Sequence, residues 1–251
     1  MNRMNGNEPK RILCIRLSAI GDVILAGFLL RLLKNRFPNV EIDFLVKEHL
    51  SVLIRPNPRV NRVISLNSRK GARELFHLVR EIRTRRYDAV IDLQRNFRSA
   101  VITLFSKSPM KFRSQPFRWE RFWLVHFHRN LYRKIKPVPL RYLQAVSSWG
   151  VEDDGLGLEL YLDSSAEQSV ETLLKMSQIR GNEEIVLLAP GAGKKTKRWP
   201  EKGYGEVGDY LIQFPSSQPL ELEVTNIVTT TPLPTTTINS TITTPTIPSG
   251  P

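Results

Sequence analysis

Two observations predict an α/β fold built on an open parallel sheet. Short apolar runs rich in branched residues alternate with amphipathic helical stretches, and the first run passes through a short glycine-containing loop straight into a helix. That first strand covers residues 11–17, Arg11-Ile12-Leu13-Cys14-Ile15-Arg16-Leu17, and its apolar centre fits a strand covered on both faces. Cys14 reads as a core residue rather than a nucleophile, since unpaired cysteine is among the most buried residue types. In the loop over 18–22, Gly21 suits a chain that turns sharply and brings its backbone close to something else, and Asp22 falls where a helix over 23–36 begins. Leu25, Phe28, Leu29, Leu32 and Leu33 give that helix one apolar face, and Pro38 closes it from outside. Ligands of open α/β sheets bind at the carboxyl ends of the strands, so loop 18–22 is the first place to look for chemistry.

Strands follow over 41–46 and 62–66, the second preceded by the turn-forming Arg55-Pro56-Asn57-Pro58. A helix over 72–85 turns Leu75, Leu78, Val79 and Ile82 inward and presents Arg73, Arg80, Arg83, Arg85 and Arg86 as a basic, solvated face. The fourth strand, 87–93, brings Asp92 and Gln94 to a carboxyl end beside Asp22. Asp92 has two readings there, a cap or structural acceptor for the next helix and a ligand contact. Residues 107–136 interleave nine Lys and Arg with seven aromatics against one acid, Glu120. Such a stretch suits an anionic lipid interface or single-stranded nucleic acid, or else a helix with aromatics inward and arginines in water. His126 and His128 have no second ligand pair at metal spacing, and no metal site is expected. A helix over 141–150 stops on Gly150 and closes the first domain.

After a linker over 151–165 and a short helix over 166–177, a strand over 184–190 opens onto Gly191-Ala192-Gly193-Lys194-Lys195-Thr196-Lys197-Arg198-Trp199-Pro200, with a helix from about 201. Strand, glycine-rich loop and helix together offer backbone N–H groups and a helix dipole to a phosphate. The loop is not a Walker A motif, which would need glycine at Leu188 and Ser or Thr at Lys195. From about 215 the chain turns to Thr and Pro without basic, aromatic or periodic residues, and a disordered tail over 215–251 is expected. Asn239-Ser240-Thr241 fits a glycosylation acceptor by chance.

The 251 residues carry a net charge of +13, unevenly spread: all 37 Lys and Arg lie in the first 202 residues, where they leave +17. That field favours polyanions and phosphorylated or carboxylated substrates. One cysteine excludes a disulfide framework and fits a reducing compartment, and the polar first ten residues read as no secretory signal.

Four stretches carry a resemblance. Residues 16–26, Arg16-Leu17-Ser18-Ala19-Ile20-Gly21-Asp22-Val23-Ile24-Leu25-Ala26, look like the amino-terminal signature of the ADP-heptose:lipopolysaccharide heptosyltransferases, glycosyltransferases of family 9 with the two-domain GT-B fold. Asp92-Leu93-Gln94, with Arg98-Ser99 at the next helix, is similar to a second family motif, although Arg95 stands where glycine is usual. The loop 190–200 resembles the family's Pro-Gly-(Ala/Thr)-x-x-x-x-Lys-x-Trp-Pro, and Arg141-Tyr142-Leu143 resembles the helix before the domain link. The likeness runs from Arg11 to about Gln213 and stops inside the second domain, before the late glycine-rich donor motif; a frameshift would account for that.

The resemblance implies a Rossmann-like acceptor domain over 1–150, the linker over 151–165, an incomplete nucleotide-sugar domain over 166–214 and the tail over 215–251. It implies inverting transfer of heptose from ADP-heptose, or a related nucleotide sugar, to the lipopolysaccharide inner core. Asp22 would be the general base, and Lys197, with Thr196, Gly191 and Gly193, would hold the donor pyrophosphate. Ser18, Gly21, Asp92, Gln94, Arg118 and Arg121 would meet the lipid A–inner-core acceptor. The implied setting is the cytoplasm, in peripheral contact with the inner membrane, with no cofactor and no nucleic acid. The competing reading is a non-catalytic basic module that binds anionic lipid or nucleic acid through residues 107–136.

Overall fold

A computed structural model describes residues 8–114, 118–130, 136–177, 179, 185–189, 191–192 and 195–213. The expected tail over 215–251 lies outside the described residues, as do Gly193 and the basic residues at 133 and 134. The chain divides into two compact units, residues 1–186 and 187–251.

The first unit is a five-stranded, wholly parallel sheet in the order β3-β2-β1-β4-β5. β1 (Arg11–Ile15) is central, with Ile15 opposite Leu45 of β2 (Glu41–Lys47) on one side and Asp92 of β4 (Ala89–Asp92) on the other. β3 (Arg62–Leu66) and β5 (Met110–Arg113) form the edges. The four central residues of β1 are fully buried, as a strand with ladders on both sides and helices on both faces must be.

Alternate residues of each strand feed two cores. Ile12, Cys14, Phe44 and Ile91 pack under α1 (Ile20–Arg36) and α5 (Val138–Ala145). Leu13, Ile15, Leu45 and Val90 pack with Leu78 and Ile82 of α2 (Gly71–Arg85) and Ile102 of α3 (Phe97–Phe105). Burial pushes the Cys14 thiol pKa well up, as befits a core residue.

Several boundaries differ from the sequence reading. The first helix starts at Ile20, before the expected 23, because its opening hydrogen bond is Val23 N to Ala19 O (3.0 Å). Asp22 is therefore the third residue of the first turn and not the cap. Gly21 takes an ordinary helical place, with nothing beyond its chain neighbours and its own helix backbone within 4 Å of where a Cβ would stand, so neither a sharp turn nor local packing requires it. β5 has no counterpart in the sequence reading. It is four residues long and lies inside the basic stretch, where Met110 and Phe112 alternate with exposed Lys111 and Arg113. Phe112 is anchored on Trp149, their ring centroids 4.4 Å apart. The closing helix begins at Val138 with Pro139 in its first turn, then tightens to a 3₁₀ turn over Ser147–Trp149 and stops at Gly150 (φ 64°).

The segment over 151–163 is irregular yet fixed, and the helix expected from 166 begins at Ser164. Arg31, 3% exposed, donates to Asp154 (Nε to Oδ2, 2.7 Å; Nη2 to Oδ1, 2.8 Å) and to the Gly157 carbonyl (2.7 Å). Glu159 is held by Arg31 at 3.3 Å and by Arg59 at 2.7 Å. α6 (Ser164–Met176) follows, capped by the Asp163 side chain.

In the second unit, a 3₁₀ turn at Lys195–Lys197 leads into α7 (Glu201–Gln213). The strand expected over 184–190 is not one across its described residues, 185–189, which join no ladder. A strand is stable through its neighbours, and the described residues supply none here. Ile185, Val186 and Leu187 are accordingly 56%, 49% and 73% exposed.

Candidate active site

The sheet's strand order reverses between β1 and β4, and the loops leaving these two strands face one another there. They enclose a recess of about 180 Å³ lined by Arg16, Asp22, Gln94, Arg95, Arg141 and Tyr142, among others.

Gln94 fixes the first loop. Its Oε1 accepts from the backbone N–H groups of Leu17 (2.9 Å) and Ser18 (3.0 Å), and its Nε2 reaches Ser18 Oγ at 3.4 Å. Two donors left over where β1 ends are thereby satisfied by one side chain from β4's end. Asp92 turns the second loop. It is fully buried; Oδ1 accepts from the N–H groups of Gln94 (3.1 Å) and Arg95 (2.8 Å), and Oδ2 pairs with Arg113 at 3.2 Å. The following helix is capped by Asn96, whose side chain and Ser99 exchange hydrogen bonds in a capping box. Of the two readings of Asp92, the geometry accounts for a structural acceptor in the turn.

Asp22 lies at the recess wall, its side chain 31% exposed, with Oδ2 on the Arg16 guanidinium. Oδ1 has no partner among the described residues. Arg16 is 13% exposed at its side chain; it also donates to the Leu93 carbonyl (2.6 Å) and lies 5.8 Å from the centre of the Tyr142 ring. Tyr142 in turn donates to the Asp22 carbonyl at 3.5 Å, and its own burial raises its hydroxyl pKa. The carboxylate is thus placed by the start of α1 and one arginine, while a tyrosine on a different helix bonds the backbone of the same residue. Gly21, exposed beside it, leaves open space where a side chain would stand.

The residues expected to meet a ligand do not all gather here. Asp22 and Gln94 line the recess, Ser18 is bound to Gln94, and Asp92 is buried behind it. Arg118 and Arg121 fall on α4 (Arg118–Phe127). On that helix Phe122, Val125 and Phe127 are exposed, contrary to a face of inward aromatics. Sequence reasoning assigned no role to Arg16, Arg95, Arg141 or Tyr142, which are far apart in the chain. The signal for Arg95 was its place where glycine is usual: it adopts φ 52°, a left-handed conformation that glycine takes freely and other residues strain to hold. Its Nη1 donates to the Ser114 carbonyl at 2.8 Å.

In the second unit, Thr196 and Lys197 are exposed on the 3₁₀ turn, and Gly191 is exposed at the loop's start. Arg198 Nε closes the loop on the Ala192 carbonyl (2.7 Å). Trp199 lies edge-on to Tyr204 (5.0 Å between centroids) and so close over Gly203 that a Cβ there would come within 2.6 Å of its ring. The Trp-Pro pair thus pins the loop to the first turn of α7. Gly193 lies outside the described residues. Among the described residues no three His, Cys, Asp or Glu side chains are grouped to hold a metal ion, and no helix is long and apolar enough to cross a membrane.

The sequence profile of glycosyltransferase family 9 (heptosyltransferase) matches residues 75–217. The lipooligosaccharide heptosyltransferase 2 of Haemophilus influenzae is 28% identical over 212 residues, which is 80% of this chain and 60% of that protein. Among solved structures, a glycosyl transferase of family 9 from Veillonella parvula superposes with a TM-score of 0.69 at 21% identity, covering 82% of this chain and 61% of the other. The E. coli ADP-heptose lps heptosyltransferase II gives 0.58 at 25% identity, with 81% and 61% covered. The fold is thus the α/β, GT-B-like arrangement of these enzymes, and the chain spans about three fifths of the length of the relatives it matches. A profile covering more than half the residues, together with the site its motifs build, gives one conclusion: the chain belongs to glycosyltransferase family 9, the heptosyltransferases.

Proposed function

We propose that this chain carries the acceptor side and part of the donor side of an inverting heptosyltransferase of lipopolysaccharide core assembly. Its domains would be the acceptor-binding residues 1–150, the link over 151–165 and the partial nucleotide-sugar domain over 166–214. The donor is ADP-heptose or a closely related nucleotide sugar, the kind named for the E. coli relative. The acceptor is an inner-core saccharide on lipid A, met from the cytoplasmic face of the inner membrane. The observation that carries this reading is Asp22, a partly exposed carboxylate with one oxygen unpaired among the described residues, held at the strand-order reversal by Arg16 and the helix start.

In the reaction, the acceptor hydroxyl oxygen forms a bond to the anomeric carbon while that carbon's bond to the diphosphate oxygen breaks. Asp22 Oδ1 takes the hydroxyl proton, and the diphosphate leaves with its negative charge. Lys197, Thr196 and the N–H groups at the head of the 190–200 loop would stabilise that charge. Proton removal accompanies bond formation, so placement of Asp22 counts for more than its basicity. Gly21, Ser18 and Gln94 would shape the acceptor's approach, and Arg118 and Arg121 on α4 would face its anionic groups. The purely binding alternative gains nothing from the family match.

The test is heptose transfer from ADP-heptose to a heptose-free inner-core acceptor. It is run with this chain and with a chimera in which a relative supplies the remaining donor-side length. Asp22→Asn in the active form should lower turnover by about 10²–10⁴-fold, the usual contribution of a general base. Lys197→Ala should weaken donor binding and turnover together. Undiminished turnover in Asp22→Asn would remove the catalytic role assigned to the first loop.

A further inference from the structure

The recess at the strand-order reversal is small and uneven in charge. Its described lining sets three guanidinium groups, from Arg16, Arg95 and Arg141, against one carboxylate, Asp22, which lies on Arg16. Asp92, the next acid, is fully buried under the turn and held by Arg113 and two backbone N–H groups. Walls of that sign favour an anionic group on a ligand over a neutral one. At about 180 Å³ the recess is smaller than the roughly 300–1,000 Å³ of sites for drug-sized ligands, so it suits one sugar unit and not a polymer backbone.

Arg95 is the wall residue whose placement is most fully specified. Its backbone N–H is fixed by Asp92 Oδ1 at 2.8 Å, and φ 52° holds it in the left-handed region. Its half-buried side chain donates from Nη1 to the Ser114 carbonyl at 2.8 Å. Ser114 is 8% exposed, follows the end of β5, and is tied back to β4 by its N–H on the Asp92 carbonyl at 3.1 Å. Both residues line the recess. The guanidinium thus has a fixed base and a fixed tip. A planar fork with five N–H donors, held in this way, loses little freedom when it meets an oxyanion.

A purely structural role leaves the residue type unexplained. One carbonyl needs only one neutral donor, and glycine would relieve the backbone at the same position. Strain kept in a non-glycine residue beside a recess is a recurrent mark of a ligand clamp. Glycine is also usual at this place in the family motif, so the contact is particular to this chain. Arg141, on α5, adds a second cation to the wall. We propose that Arg95 is an acceptor-specificity residue which, with Arg141, reads one oxyanion, a carboxylate or a phosphate, on the sugar unit whose hydroxyl meets Asp22. The inference rests on the acceptor reading of this site, and it adds a charge contact inside the recess to those proposed for Arg118 and Arg121.

Calorimetric titration of the full chain at constant ionic strength tests it without requiring turnover. The probes are a deacylated, heptose-free core oligosaccharide and the same material with its carboxyl groups reduced to alcohols, with its phosphates removed, or with both treatments. The wild type should bind the intact probe more tightly than the doubly treated one, and the single treatment that reproduces the loss identifies the group. Arg95→Gly relieves the left-handed position, and Arg95→Gln keeps a neutral donor near the Ser114 carbonyl. Both should weaken binding of the intact probe by about ten- to 150-fold, the range for a hydrogen bond to a charged group. Both should bind the doubly treated probe as the wild type does, because the side chain and the anion then act as one pair. Arg80→Ser, which removes an exposed charge from α2 and lies outside the recess, should leave the preference intact. Wild-type affinity of both Arg95 variants for the intact probe overturns the proposal. So does an equal loss for the intact and doubly treated probes, which would make Arg95 a support of the loop. A loss in Arg80→Ser as large as in Arg95→Gly also overturns it, since the overall field would then be responsible. Each of these three results leaves the acceptor reading standing, whereas no binding of any probe by the wild type would sink that reading and the proposal together.

Discussion

The chain contains two segments with the same local plan, an apolar run, a glycine-bearing loop and a helix, and they end in different states. At residues 11–36 the run becomes the central strand of a five-stranded sheet, its four inner residues fully buried and its helix packed on the core. At 185–213 the helix forms and the loop closes on itself through Arg198 and Trp199, while the described part of the run joins no ladder and stays exposed. A helix satisfies its backbone within itself, whereas a strand depends on partners elsewhere in the chain. β1 receives them from about 30 and 77 residues away, through the registers Arg11 with Glu41 and Ile12 with Ala89. Sequence pattern is therefore a sound guide to helices and a conditional one to strands.

The hardest test of this contrast is to cut what locks the first unit. Arg31→Ala removes a nearly buried guanidinium and leaves Asp154 and Glu159 without their shared partner. Urea unfolding should register a loss of about 3–5 kcal/mol, the usual cost of breaking a buried ion pair from one side. A loss below the range of surface pairs would mean that the 151–165 segment is not part of that unit.

A direct comparison of the two runs comes next. Ile15→Ala should destabilise by about 2–5 kcal/mol, as large-to-small changes in a packed core do. Leu187→Ala, at a residue 73% exposed, should stay within about 0.5 kcal/mol in this chain. Equal losses at the two positions would erase the distinction between them.

A smaller effect is expected at the loop after β4. Arg95→Gly relieves a left-handed residue worth about 1–2 kcal/mol but gives up the bond to the Ser114 carbonyl, worth about 1 kcal/mol. Thermal unfolding should show a change of no more than about 1 kcal/mol in the stabilising direction, well below the core effects. A large destabilisation would show that the arginine side chain, and not the turn, holds this loop.

The smallest effect is in pH. Hydrogen bonds from Arg31 lower the Asp154 pKa below the ordinary carboxylate value. A group of that kind contributes stability that is complete above its unfolded pKa of about 4 and is lost as the pH falls through the folded value. Urea midpoints measured downward from pH 6 should therefore decline more steeply below pH about 4 in the wild type than in Asp154→Asn. Identical slopes would remove Asp154 from the acid response.

The sequence by itself carried the α/β class, the first four strands of the sheet, the position of Asp22 at a strand's carboxyl end, and three motifs in family order. Each of these is local: apolar periodicity, a glycine before a helix, a short run of named residues. Tertiary structure decided the rest. It brought Arg16 and Tyr142, 126 residues apart in the chain, to one residue, Asp22, the arginine on its carboxylate and the tyrosine on its backbone carbonyl. It buried Asp92 beneath the turn it organises and made Gln94 the clamp of the loop opposite. It also made an edge strand of four residues in a stretch whose charge hid their alternation, because Phe112 found Trp149. Ion pairs, clamps and edge ladders join residues far apart in sequence, and no periodicity within a segment records the partner a side chain will meet once the sheet closes.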